Sequence, residues 1–538
     1  MKKSKFMTAL LAAAFFTISA FAANPDKDIV ILYTNYVHCG VDDKIGYAGL
    51  SLYKQEMQEQ TPYVTLVDAG DALQGATIGT ISKGGYIITL MNELSYDIAI
   101  PGNHEFDYGM PRFLELSKKL NCGYIACNFT GKNGKPLFPA YKMISYGDTK
   151  VAYVGICTPE TVTSSNPVTF KDKKGKQIYD FGGDNGGAKM FELTQKAIDD
   201  ARKNGADFVI LVAHLGEKTN NPEWSAMNLV KNTSGADALI DGHSHEITTV
   251  LMAENKDGKA IPITQSGTKL VNIGKVTITK EGAVITELIS QVPQKNGQTT
   301  DATIKASIDN IKADFEASLT RKIGYVDFDM PALDSNKQWL TRSSQTNIGD
   351  FITDAFKAFF KADIAVVNGG GIRAGIKKGD LSYNDMLTVH PFGNKANLYE
   401  ISGQTILDEL EFGARKLPEL FGGFLHVSGL TFKINTEIPS SVEVDEKGFF
   451  TGVVKGEYRV HNVYVNGQPL DVNKTYKVAG SNFVISNHGD GHLFKGAKLV
   501  NSAGTMTDCD VLVEYLKILG GTIPEKYKEA QNRIVIEK

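Results

Sequence analysis

Five times in its first half the chain runs through a short apolar stretch and then breaks into a polar turn carrying His, Asp or Asn. Ile29-Val30-Ile31-Leu32-Tyr33 opens onto Thr34-Asn35-Tyr36-Val37-His38, and residues 63–67 open onto Asp68-Ala69-Gly70-Asp71. Ile98-Ala99-Ile100 leads into Pro101-Gly102-Asn103-His104-Glu105-Phe106-Asp107. Residues 208–212 lead into Ala213-His214, and Ala238-Leu239-Ile240 into Asp241-Gly242-His243-Ser244-His245. Short apolar runs bounded by turn residues predict buried strands. The intervening residues 50–60 and 190–203 have helix-forming composition. Strands alternating with helices predict a layered α/β domain. In such sheets ligands collect beyond the carboxyl ends of the strands, which is where all five polar clusters fall.

A chain of 538 residues is too long for one compact domain. The texture changes near residue 300. Ile304, Ile308, Ile311, Phe315 and Leu319 recur at helical spacing with no Gly or Pro between them. This predicts a linker helix over residues 300–324, between a first domain at 28–295 and a second α/β domain at 325–538. The second domain has its own glycine cluster, Asn368-Gly369-Gly370-Gly371-Ile372-Arg373. No internal repeat is found.

The first 22 residues read as a secretory signal. Lys2, Lys3 and Lys5 precede an apolar run from Ala9 to Phe16, and the small-residue pattern Ala20-Phe21-Ala22 follows. The run is too short for a membrane anchor, so a periplasmic or secreted monomer without an anchor is expected. Cleavage would take three of the 57 basic residues, leaving 54 against 61 acidic and a net charge of −7. That balance gives no reason to expect a nucleic acid polymer or an anionic membrane as partner. The five cysteines cannot all pair with one another. Cys39 lies beside a candidate ligand, but hard oxygen and imidazole neighbours make it a packed thiol.

Collected from the strand ends, His38, Asp71, Asn103, His214, His243 and His245 form a ligand set. Imidazole and carboxylate together suit zinc, manganese or a similar divalent ion. A carboxylate that bridges two ions lets the pair hold the attacking and leaving oxygens of a phosphoester.

The strings Gly70-Asp71, Gly102-Asn103-His104-Glu105-Phe106-Asp107, His214 and Gly242-His243-Ser244-His245 resemble the calcineurin-like metallophosphoesterase signature. Their order resembles the exported branch containing 5′-nucleotidases and UDP-sugar hydrolases. The resemblance implies a four-layer β-sandwich flanked by helices, then an α/β nucleotide-binding domain. It implies that Asp71 bridges two divalent ions, with Asn103, His214 and His243 completing one site and His38 and His245 belonging to the other. It implies that His104 faces the scissile phosphate, oriented by Asp107. In the second half, Arg342, Asn347, Asn368, Gly370, Arg373, Phe392, Phe483 and Asp490 match the substrate-binding pattern. Phe392 and Phe483 would sandwich the base, and Arg342 and Arg373 would hold phosphate or ribose oxygens. With metals in one domain and the base in the other, closure about residues 320–340 is expected.

The sequence departs from that pattern twice. Where the pattern has Thr-Asn-Asp-x-His, this chain has Tyr36 in place of the acid. A weakened first site, a phenolate ligand, or an empty site with activity largely lost are the three outcomes; ligand counting favours the first, since three ligands remain. The stretch from Phe483 to Gly491 is one residue longer than the pattern, with His488 in place of a glycine. The expected function is hydrolysis of nucleoside 5′-monophosphates. Alternatives are 2′,3′-cyclic nucleotides, nucleoside di- or triphosphates, UDP-sugars, or a phosphatase with no nucleotide preference. From another class, a nucleotide-binding protein disabled by Tyr36 is the alternative.

Overall fold

A computed structural model describes residues 23–537 except 133, 173, 220 and 296. The predicted signal segment, residues 1–22, lies outside the described residues. The first domain holds two sheets. One has the order β11-β10-β1-β2-β3, with β1 at Ile29–Thr34, β2 at Val64–Asp68, β3 at Ile98–Ala99, β10 at Ile273–Ile278 and β11 at Val284–Ile289. The other has the order β4-β5-β6-β7-β9-β8: β4 at Tyr141–Tyr146, β5 at Thr149–Cys157, β6 at Phe208–His214, β7 at Ala238–Ile240, β8 at Ile247–Glu254 and β9 at Ala260–Ser266.

Strand alternation explains how the sheets stack. On β1, Ile29, Ile31 and Tyr33 enter a core shared with Val151, Tyr153, Ile210 and Val212 of the facing sheet. Val30 and Leu32 point the other way, into helices that contribute Leu50, Ile87, Leu90 and Phe113. Val209 and Leu211 of β6 likewise leave the inter-sheet core for a helix layer with Met190, Ile198 and Leu229. The result is helix, sheet, sheet, helix. Both faces of the central strands are covered, which is why they appear in the sequence as unbroken apolar runs rather than alternating ones. Tyr33 joins the sheets by a 2.8 Å hydrogen bond to Thr264. Its ring lies flat over Gly274 across the strand pair, where a Cβ would meet it at 1.9 Å.

The helix predicted near residue 300 runs Ala302–Leu319. Asp301 caps it by accepting the N–H groups of Thr303 and Ile304, and also accepts from Ser51 and Gln55 of the helix Gly46–Gln60. Ile304 and Ile308 are buried in the first domain's core, so this helix is a strut of that domain rather than a free link. The second domain is built on five strands in the order Leu425–Ser428, Ile364–Asn368, Thr475–Ser481, Lys395–Ser402 and Lys498–Thr507. The helix Asn347–Phe360 packs against them, burying Ile348, Phe351, Ile352 and Phe356. Thr80 donates to the Pro391 carbonyl at 2.8 Å, and Thr77 donates to Asn384, fastening the second domain over the strand ends of the first.

Candidate active site

The carboxyl ends of β1, β2, β3, β6 and β7 meet at one rim. The backbone there is unusual: Tyr36, His38, Asp71, His243 and His245 all have left-handed φ, between 45° and 78°. Non-glycine residues take this region at a cost and cluster at functional sites. The strand-end glycines are needed for close approach. A Cβ on Gly102 would meet Asp71 Oδ1 at 2.3 Å, and Gly70, at φ 88°, has no room beside His214 Nδ1.

The hydrogen bonds fix which atoms face inward. His38 donates from Nδ1 to the Gln74 carbonyl at 2.7 Å, and His214 from Nδ1 to the Ala69 carbonyl at 2.7 Å. Each therefore presents Nε2. These two nitrogens lie 3.8 Å and 3.2 Å from Asp71 Oδ2, and all three atoms are buried with no hydrogen-bond partner. Against the effect of burial, the Asp71 carboxylate holds the His214 pKa up to about 9 and its imidazole protonated; a divalent cation takes the place of that proton, and the donor at the far ring nitrogen is what metal-ligating histidines use. Asn103 Oδ1 and His243 Nδ1 meet at 3.0 Å on the same rim. Asp71, Asn103, His214 and His243 thus fit a divalent ion.

His104 sits beside this cluster, its ring centroid 5.2 Å from that of His38. Its Nδ1 donates to Asp107 at 2.6 Å, and Ser165 donates to the other Asp107 oxygen at 3.1 Å. Burial alone would depress the His104 pKa, but Asp107 and Asp71 outweigh it and hold the imidazole above the usual histidine range. Tyr36 is the opposite case. Burial, then the Asp71 carboxylate, push its phenol well above the usual value, so it stays protonated, donating to the His243 carbonyl.

Two carboxylates stand out that the sequence did not single out. Glu105 accepts from the backbone N–H groups of Asp71, Ala72, Leu73 and Gly102, tying two ligand loops together. Glu160 accepts from His243 Nε2 at 2.9 Å and from the Asn221 N–H at 2.9 Å.

From the second domain, Phe392 lies 5.7 Å from the His104 ring, and the Arg373 guanidinium lies 5.7 Å from Phe392. Arg342 and Arg373 both stand over Trp339, at 4.9 and 5.6 Å. Burial and the charge of Arg373 lower the Arg342 pKa to about 10. Asn368 donates to Asp490 at 2.6 Å, and a Cβ on Gly370 would come within 3.3 Å of that carboxylate. Along the stretch from Phe483 to Gly491, His488 and Asp490 take left-handed φ. Phe483 is half-buried and lies flat against Gly489. Arg415, which no motif marks, is clamped between Phe412 and Phe421 at 3.8 and 3.7 Å.

Asn347 is not brought into this group. Both its amide N–H donors go to the carbonyls of Asp329 and Lys528, and its oxygen accepts from the Ile348 N–H, at the start of the helix Asn347–Phe360. All five cysteines are free, and Cys39 is a packed thiol that burial pushes up to about 12.

Comparisons with known proteins match both halves of the chain. The family model for calcineurin-like phosphoesterases matches residues 29–246, and that for the 5′-nucleotidase C-terminal domain matches residues 322–498. The chain is 28% identical to the trifunctional nucleotide phosphoesterase protein YfkN of Bacillus subtilis, over 94% of this chain and 35% of that protein, so it spans about a third of that relative's length. It is 26% identical to the snake venom 5′-nucleotidase of Gloydius brevicauda, over 96% of this chain and 90% of that one. The crystal structure of a 5′-nucleotidase precursor from Thermus thermophilus superposes with a TM-score of 0.78 at 23% identity, covering 95% of this chain and 99% of that one, and so shares its fold. With both halves matched in order, the chain belongs to the 5′-nucleotidase family of phosphoric ester hydrolases, a calcineurin-like phosphoesterase domain followed by a 5′-nucleotidase C-terminal domain.

Proposed function

We propose that this chain hydrolyses the phosphoester of nucleoside 5′-monophosphates, releasing nucleoside and phosphate. The observation that carries the reading is the convergence at one rim. Asp71 Oδ2 and His214 Nε2 lie 3.2 Å apart, with Asn103 and His243 on the same rim, the His104–Asp107 pair beside them, and Phe392 and Arg373 arriving from the second domain. Calcineurin-like phosphoesterases use divalent metals. The donor set here, imidazole with carboxylate and amide oxygen, suits zinc or manganese. A divalent ion held by Asp71, Asn103, His214 and His243 supplies Lewis acidity toward a phosphoryl oxygen and lowers the pKa of water.

The chain's own residues then have distinct tasks. His104, kept cationic by Asp107, donates a hydrogen bond from Nε2 to the phosphoryl group as charge builds there. Arg342 and Arg373 direct fork-like donors at phosphate or ribose oxygens. Phe392 and Phe483 offer apolar faces to a base, and Asn368 with Asp490 offers polar atoms beside them. The second domain, seated over the rim through Thr77 and Thr80, keeps water from the reacting group. The charged, apolar and small-residue order of residues 1–22 supports action outside the cytoplasm. Among the described residues no helix is long and apolar enough to cross a membrane.

The test is phosphate release from a panel of a nucleoside 5′-monophosphate, a 2′,3′-cyclic nucleotide, a UDP-sugar and a small aryl phosphate. Each is assayed after chelation and again after zinc or manganese is restored. Metal-dependent release from the 5′-monophosphate above the others is expected; equal rates on the aryl phosphate would remove the nucleotide preference.

A further inference from the structure

Tyr36 does more than remove a carboxylate from the rim. Its side chain is buried inside the imidazole cluster, with its ring centroid 3.8 Å from that of His245, 4.6 Å from His38 and 5.1 Å from His214. The His38 and His245 rings are themselves 5.4 Å apart, and the phenol packs against both. An ion shared by those two histidines would sit about 2.0–2.1 Å from a nitrogen of each, in space that ring carbons fill. The backbone holds the ring there. Tyr36 N–H donates to the Gly70 carbonyl at 3.0 Å, and its own carbonyl accepts from Lys269 N–H at 2.9 Å and Thr268 Oγ1 at 3.1 Å. The phenol proton is engaged by the His243 carbonyl.

The two ion positions therefore differ. At one, His38, Asp71 and His104 each bring a ligand atom within 4.8 Å of one another, but His38 Nε2 and Asp71 Oδ2 are 3.8 Å apart, His104 Nδ1 is committed to Asp107, and His245 is turned edge-on against the ring of Tyr36. At the other, Asp71 Oδ2 and His214 Nε2 are 3.2 Å apart, close to the roughly 3.3 Å between neighbouring ligands of a tetrahedral ion. Asn103 and His243 complete that position from two further loops. We propose that this chain carries a single divalent ion, held by Asp71, Asn103, His214 and His243, with the ring of Tyr36 standing where the pattern of related sequences places a second. The proposal rests on the phosphoesterase reading for the identity of the site, and it narrows that reading to a one-ion centre.

The test uses the full mature chain, stripped with chelator and titrated with Mn(II) alone. Bound metal is counted after desalting, and the bound ions are examined by electron paramagnetic resonance. One equivalent with the spectrum of an isolated ion is expected, lost in His214→Ala and kept in His38→Ala. Tyr36→Phe keeps one equivalent, because the ring remains. Tyr36→Asp takes up two, with a spectrum showing coupling between neighbouring ions. Two coupled equivalents in the unaltered chain overturn the proposal, as does no bound ion, or a single ion lost in His38→Ala and kept in His214→Ala. If Tyr36→Asp does not fold, the count in the unaltered chain and the two alanine variants decide. Phosphate release from a nucleoside 5′-monophosphate is measured on the same samples. One ion without hydrolysis supports the ion count and removes the proposed function; two ions with hydrolysis remove the count and leave the function standing.

Discussion

Replacing Glu160 tests whether the site is held by more than its ligands. Glu160 precedes the short helix Thr161–Ser164, and its carboxylate is buried. One oxygen accepts from His243 Nε2 and the other from the Asn221 N–H, both at 2.9 Å. Because Nε2 carries the donated proton, the lone pair of His243 is left on Nδ1, the atom 3.0 Å from Asn103. The carboxylate thus sets the tautomer and ring angle that ion binding needs. Losing such a partner costs about 10–100-fold in metal affinity, or about 1.4–2.7 kcal/mol. A hydrogen bond to a charged group contributes a similar amount, about 1.5–3 kcal/mol. Glu160→Gln keeps an acceptor without its charge and is expected near the 10-fold end. Glu160→Ala leaves His243 Nε2 and the Asn221 N–H unpartnered, and is expected near the 100-fold end. Metal affinity is measured by competition against a chromophoric chelator at fixed pH, with thermal unfolding in excess chelator as the control for folding. A folded Glu160→Ala chain whose affinity stays within about threefold of the parent would refute the argument.

His104→Ala is expected to lower turnover by about 10²–10⁴-fold while bound metal stays unchanged; metal lost in proportion to activity would make His104 a ligand instead. Phe483→Ala is expected to weaken nucleotide binding by about 1–3 kcal/mol and to leave aryl phosphate hydrolysis nearly intact, whereas equal loss on both substrates would mark it as core. His426 is neutral in the folded chain because burial lowers its pKa from 6.5 to about 4, and its Nε2 donates to the Thr341 carbonyl at 2.9 Å. The unfolded chain then binds the extra proton, so its contribution is complete above pH 6.5 and is lost as pH falls through about 4, by up to about 3 kcal/mol. His426→Gln should show a smaller drop in melting temperature than the parent between pH 7.5 and 4.5, and an identical drop would exclude His426 as the source.

Much of the first domain was legible because its central strands are buried on both faces. Continuous apolar runs such as those of β1 and β6 cannot be amphipathic surface elements, and the polar turns that end them could only lie at the sheet edge. The same rule, applied without a filter for His, Asp and Asn, would have found Glu160. It follows β5 in Ile156-Cys157-Thr158-Pro159-Glu160, and β5 lies parallel to β6 with Cys157 opposite His214. Glu105 was visible inside a specific string, but spacing does not reveal that four backbone N–H groups converge on its carboxylate. Asn347 shows the reverse error. An Asn just after Thr346, at the start of an apolar helical pattern, is placed to satisfy a backbone group at a helix terminus; its oxygen accepts the Ile348 N–H there, and its amide reaches the carbonyls of Asp329 and Lys528 from neighbouring segments. Arg415 carries no signal at all, because the faces of Phe412 and Phe421 that clamp it come together only in the folded domain.

Position 36 shows what counting ligands leaves out. Counting treats the exchange of carboxylate for phenol as the loss of one anionic oxygen, and three remaining ligands then argue for a site that is merely weaker. Volume and backbone change the outcome. The left-handed φ at Tyr36, 57°, and the hydrogen bonds to Gly70, Lys269 and Thr268 aim the side chain into the rim whatever its chemistry. A carboxylate on that backbone would reach a cation, but a six-membered ring reaches past it and packs on His38 and His245. The ring also takes His245 out of the ligand set by giving it an apolar face to lie against. One substitution therefore removes the acid, fills the space and re-uses a third ligand as packing, and only the first of these effects can be read from the residue types alone.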